Sequence, residues 1–315
     1  MSLTDSAEAP STRKGGRGRW RFPWPAAIVA LVALVGISVV SYPNVAQWFH
    51  QRDQSLIVGD SMNVNNDERA QANAQQIALA HKYNDALSSG AVLEKDHRLP
   101  TGSGQATGAT AELPDYEDIL NNGSTDSVMA RLQIRGIKLD LPVYHGTSDE
   151  TLLKGVGHLE GTSLPVGGQG THSVLTGHRG LADSEMFTRL NEVSTGDTFS
   201  VSTFGEVLTY RVVSTKVVDP SDTAALKAES GKDLMTLVTC TPLGINSQRI
   251  LVTGERVHPT PQKDIDAAAK DPTIPGFPWW VLWLSGALVA AIVYVWRSGF
   301  PATPRGKRKR QGKHS

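Results

Sequence analysis

The chain has 315 residues, with 31 basic and 31 acidic side chains and a single cysteine. That length holds one or two domains, and a lone cysteine excludes an internal disulfide framework. The balanced charge hides an asymmetry: residues 1–24 carry five basic and two acidic side chains, residues 297–315 seven basic and none acidic, which leaves 19 basic and 29 acidic between them. An acidic middle with basic ends argues against nucleic acid as a partner.

In chain order, residues 1–24 read as a basic cytoplasmic tail. Residues 25–48 are uncharged and exceed the roughly 20 residues needed to cross a bilayer. No small-x-small cleavage site follows them, so the segment reads as a retained membrane helix and not as a cleaved leader. Residues 277–296 (FPWWVLWLSGALVAAIVYVW) form a second uncharged run with tryptophan at both ends, as interfacial anchoring favours. Residues 297–315 are a second basic tail, whose RGKRKR run (305–310) serves as a topology signal and a contact for anionic lipid headgroups. Positive flanks stay inside, so the expectation is a two-pass protein of the cell membrane with both termini cytoplasmic.

The region between the spans begins with residues 49–127, an extracytoplasmic helix and a lid-like loop. Residues 65–88 carry a sparse apolar stripe of Ile77, Leu79, Tyr83 and Leu87, which suits a peripheral helix. Residues 96–114 are rich in Gly, Thr and Ala and read as a loop. From 128 to 258 the pattern changes to short alternating runs: 130–146, 172–178, 196–203, 208–220, 233–242 and 248–257. Repeated short strands without regular intervening helices predict an all-β closed barrel or sandwich. Residues 259–276 are a linker to the second span.

The one thiol, Cys240, lies in TLVTCTP (236–242), and Arg249 follows in the next strand. Strand residues alternate faces, so Cys240 and Arg249 come within reach of each other if the two strands pair. A fixed cation beside a thiol favours the thiolate and can stabilise the oxyanion of a tetrahedral intermediate. Thiolate attack on an acyl group also needs a proton donor for the leaving amine, and imidazole is the usual one. His178 ends a predicted strand, but His145, His158 and His172 lie in the same domain. Residue type alone leaves the four open.

The runs GHLEGTSLPVGGQGTHSVLTGHRGL (157–181), MFTRL, GDTF, TLVTCTPLGIN and RILVTGER together resemble the sortases, membrane-bound cysteine transpeptidases of Gram-positive bacteria. Residues 141–168, the extended N-terminal segment and the second span look like class C, the pilin polymerases. The resemblance implies a closed eight-stranded β-barrel with short helices, preceded by an N-terminal helical segment and framed by two transmembrane helices. It implies Cys240 as nucleophile, His178 as general acid and base, and Arg249 as stabiliser of substrate and intermediate. The implied reaction cleaves an LPxTG-type sorting signal between Thr and Gly through a thioacyl enzyme, without cofactor or metal. The acyl group then passes to a lysine amine of a pilin subunit, or to a peptidoglycan precursor amine in the housekeeping alternative. Class C enzymes commonly carry a lid marked by Asp-Pro-aromatic, which is missing here. Asp96-His97-Arg98 and LPTG (99–102) stand in its place. Asp96, His97 and Thr239 complete the expected substrate-binding or lid residues. A membrane-anchored surface protein that only binds, and a simple cysteine hydrolase, are the competing readings.

Overall fold

The computed structural model describes residues 19–64, 70–87, 114–121, 123, 127–181 and 184–300. These divide into two compact units, one holding Pro43–Phe277 and the other the described residues up to Tyr42 and from Pro278. In chain order the elements are α1 (Trp24–Val64), α2 (Ala70–Leu87), β1 (Ala130–Ile134), β2 (Leu139–His145), α3 (Asp149–Lys154), β3 (Val156–His158), β4 (Thr171–Thr176), β5 (Thr198–Thr203), β6 (Glu206–Val218), β7 (Asp233–Thr241), β8 (Gln248–Arg256), α4 (Gln262–Ala268) and α5 (Trp280–Ser298).

The strands close into one eight-stranded barrel in the order β1-β2-β3-β4-β7-β8-β6-β5. The β2–β3 and β4–β7 pairs are parallel and the other six antiparallel. Closure removes exposed sheet edges, and the alternation along each strand separates an inner from an outer face. Met235, Leu237, Ile250 and Val252 join the main core, with Leu132, Val201, Phe199 and Tyr210. Val238 and Leu251 turn the other way, into a smaller cluster with Leu159, Val174 and Leu226. By parity Cys240 and Arg249 share this outer face.

Three elements depart from the sequence reading. Strand β3 is only three residues long, too short for period-two alternation to register. Helix α4 occupies part of the expected linker, held by its buried Asp264, which pairs with Arg135 and accepts from Thr209 Oγ1 at 3.0 Å. Helix α1 continues to Val64 beyond the uncharged run, because its polar extension packs on the barrel unit. Gln54 and Val58 are buried there, and Gln54 Nε2 donates to Lys154 O at 3.1 Å.

Helix α2 packs by the stripe read from its sequence, with Ile77, Tyr83 and Leu87 buried and Leu79 partly so. Asn84 fixes it to the loop before β4, accepting from Leu164 N at 2.7 Å and donating to Leu164 O at 3.1 Å. The segment leading to β1 is pinned by Tyr116, whose hydroxyl meets His158 Nδ1 at 2.8 Å and accepts from Gly146 N at 3.1 Å.

In the second unit, α1 up to Tyr42 and α5 leave most of their large apolar side chains exposed, among them Val32, Val40, Trp283 and Val289. Both helices are long and apolar enough to cross a membrane. Trp20 Nε1 donates to Trp296 O at 3.0 Å and Arg21 N to Gly299 O at 3.0 Å, so the start of α1 lies beside the end of α5.

Candidate active site

The antiparallel register of β7 and β8 sets Cys240 directly opposite Arg249. The two side chains are 8% and 5% exposed. Leu152 of α3 packs against the thiol. The Arg249 guanidinium is oriented by the turn that precedes it, with Nη1 donating to Asn246 O at 3.0 Å and Gln248 O at 2.9 Å. Its Nε is buried without a hydrogen-bond partner among the described residues. A buried cationic N–H left unmatched is costly, and this donor could serve an acceptor placed on the outer face.

Strands β4 and β7 run parallel, with Thr176 opposite Val238. Gly177 N extends the ladder by donating to Val238 O at 3.1 Å. Two residues on from that pair, His178 comes level with Cys240 on the same outer side. There is no room for a side chain before it, since a Cβ on Gly177 would lie 2.8 Å from the Phe187 ring.

The other three histidines are engaged. His145 Nε2 meets Ile119 O at 2.7 Å. His158 bonds Tyr116 through Nδ1 and Ser163 O through Nε2, at 2.8 and 2.9 Å. His172 meets Lys227 O and Thr236 Oγ1, at 2.9 and 2.7 Å. His178 is half-buried, and its imidazole makes no hydrogen bond among the described residues. Tertiary structure therefore separates four residues that sequence left equivalent.

Burial pushes the Cys240 thiol above the usual range, and the Arg249 charge opposes that. Burial lowers the His178 imidazole, opposed by the negative charge of Asp149 at the start of α3. Both shifts favour the neutral forms, and a neutral imidazole is the form that can accept a thiol proton. The imidazole can hand that proton on to a leaving group, while Arg249 faces the charge left behind.

Thr239 takes the opposite strand face from Cys240, is fully buried, and donates to Gly177 O at 2.7 Å. It braces the strand that leads to His178 and does not line the outer face. Asp96 and His97 lie outside the described residues. Sequence reasoning missed Leu152, Asp149, Arg179 and Thr241, which reach the site from α3, from the loop after β4 and from the end of β7. Only Thr241 and Arg179 adjoin a residue already singled out. Among the described residues, no group of three or more His, Cys, Asp or Glu is placed to hold a metal ion.

The sortase domain model matches residues 132–257. Sortase C-1 from Actinomyces oris is 47% identical, the match covering 59% of this chain and 98% of that one with a TM-score of 0.50. Sortase C2 of Group B Streptococcus pilus island 1 is 44% identical, over 61% and 99%, with a TM-score of 0.51. Sortase A from Corynebacterium diphtheriae is 36% identical, over 69% and 97%, with a TM-score of 0.55. Among curated proteins, sortase D of Bacillus subtilis is 35% identical over 130 residues, a match that spans 62% of its length.

Proposed function

The chain belongs to the sortase family, and from that premise we propose that this transpeptidase-like enzyme polymerises pilin subunits at the outer face of a membrane. The observation that carries the reading is the Cys240–Arg249 register pair with His178, whose ring makes no hydrogen bond among the described residues, level with it. Cys240 gives its proton to His178 and adds to the threonine carbonyl of an LPxTG-type signal. Arg249 Nε donates to the resulting oxyanion, where such donors are worth about 10²–10³-fold in rate. The Thr–Gly bond then breaks, the glycine amine leaves with the proton from His178, and a thioester remains. A pilin lysine amine attacks that thioester, losing its proton to His178 and releasing Cys240, so no net oxidation or hydrolysis occurs.

The 47% and 44% identity to two C-type sortases, one of them from a pilus island, supports the pilin acceptor. Curated matches that include sortase A proteins favour a second reading, in which a peptidoglycan amine resolves the same thioester. The basic flanks of the two apolar helices support a two-pass topology with the barrel outside.

The test is incubation of the full chain in detergent micelles with an LPxTG peptide, followed by intact-mass analysis. A thioacyl adduct that is lost in Cys240→Ala is expected. No adduct from folded protein would return the chain to a binding role. Offering the adduct a lysine-bearing pilin and a peptidoglycan-type amine in competition separates the two acceptors.

A further inference from the structure

We infer that Arg179 is a positioning residue that holds the His178 imidazole in register with Cys240, by tying the loop after β4 to the end of the strand that carries the thiol. The inference rests on the transpeptidase reading only for its kinetic consequence.

The backbone ladder between β4 and β7 stops at the Gly177–Val238 bond, one residue short of His178. Two side-chain bonds continue it on the opposite side from the thiol. Thr239 Oγ1 donates to Gly177 O at 2.7 Å, and Arg179 Nη1 donates to Thr241 Oγ1 at 2.9 Å. They bracket the level of His178 and Cys240, one rung before it and one after. Among the described residues no other hydrogen bond links residues 178–181 to β7 beyond Cys240, so losing the second rung should loosen the register of the imidazole against the thiol.

The same guanidinium is fixed from its other edge. Its Nε donates to Thr188 O at 3.2 Å and its Nη2 to Asn191 Oδ1 at 2.9 Å. Phe187 N donates to His178 O at 2.9 Å, and Gly180 N to Thr188 Oγ1 at 3.0 Å. Gly180 turns the chain here at φ +76, a left-handed conformation costly for other residues. Arg179 thus joins the 187–191 turn, the histidine loop and β7 through one side chain. A planar fork with donors on several edges can serve three acceptors at once, which a lysine ammonium on its flexible stem does not reproduce.

The experiment uses the full chain in micelles and the pH dependence of Cys240 alkylation by iodoacetamide, which needs no substrate. In Arg179→Gln the profile is expected to move toward that of His178→Ala, and adding Arg179→Gln to His178→Ala should change nothing further. Thr241→Val should reproduce the shift in part. With an LPxTG peptide, Arg179→Gln should lower kcat at least about tenfold, as displacement of a reacting group does, with KM within about twofold. Arg179→Lys should recover only part of the loss. Arg211→Gln, an exposed change on β6, is the control and should match the parent chain.

A wild-type alkylation profile in Arg179→Gln would overturn the inference. So would an equal effect of the substitution with and without His178, or a kcat loss that follows the drop in Tm. If the parent chain forms no thioacyl adduct, the transpeptidase reading falls, while the alkylation cycle still decides the role of Arg179.

Discussion

Strand β7 carries a buried polar group at each end, and the two ends are finished differently. At its start, Asp233 accepts from Tyr210 Oη and Gly168 N, both at 3.0 Å, and faces Arg256 at 3.9 Å. Burial still raises its carboxyl above the usual range, against the pull of those three partners. At its finish, Cys240 faces a guanidinium whose Nε has no partner among the described residues, and a histidine whose ring is free of bonds there. One end is matched within the fold, as buried polar groups usually are. The other keeps valence in reserve, and a site that must bind a transient charge has to carry that cost.

The largest expected effect comes from Cys240→Ala, which should abolish thioacyl formation by intact mass while circular dichroism stays native. Arg249→Gln should cut kcat about 10²–10³-fold and move Tm less than Asp233→Asn does, since its Nε has no partner among the described residues and the two carbonyls held by its Nη1 belong to an exposed turn that water can reach. If Arg249→Gln instead unfolds the chain, the two ends of β7 are alike and the contrast fails.

The matched kind of site should show itself in stability alone. Burial drives the His158 imidazole down to about 4, and its Nε2 donates to Ser163 O while Nδ1 accepts from Tyr116. Below pH 6.5 the unfolded imidazole takes a proton that the folded one refuses until about pH 4. Stability should therefore fall across that window by on the order of 3 kcal/mol and then level off, and His158→Gln should flatten this part of a denaturant-midpoint series against pH.

Asp233→Asn sets an amide nitrogen against the Gly168 N–H and should cost about 1–3 kcal/mol in chemical denaturation, with the rate per folded molecule unchanged. The smallest effect sharpens the open site. Asp149→Asn removes the charge that opposes burial at His178, so the acid limb of kcat/KM should move to lower pH. An unmoved limb would mean that Asp149 does not act on the imidazole.

Much of the barrel was legible because seven of its strands are long enough to alternate. Val238, Cys240 and Leu251 could be assigned a face from parity alone, whereas the approach of Arg249 to the thiol also needed the β7–β8 pairing that the structure supplies. Strand β3 was not legible, having three residues, nor was α4, a short polar segment held to the barrel by its buried Asp264 and by Arg131 and Arg135 donating to its carbonyls. The uncharged run marked a membrane span but not where α1 would stop, since Gln54 stays helical through contacts made by distant residues. Of the four histidines, only the family resemblance distinguished His178.

By itself the sequence determined which residues could do the chemistry, where the apolar spans lie and which strand face each residue takes, because these follow from side-chain type and local period. Tertiary structure decided which of those residues remain uncommitted. His145 committed one ring nitrogen, and His158 and His172 both of theirs, to carbonyls and hydroxyls brought near by the fold, while the His178 ring bonds nothing among the described residues. Arg179 became a brace because parallel pairing of β4 with β7 delivered Thr241 to it. Hydrogen-bond partners are a property of approach in space, and local sequence has no term for that.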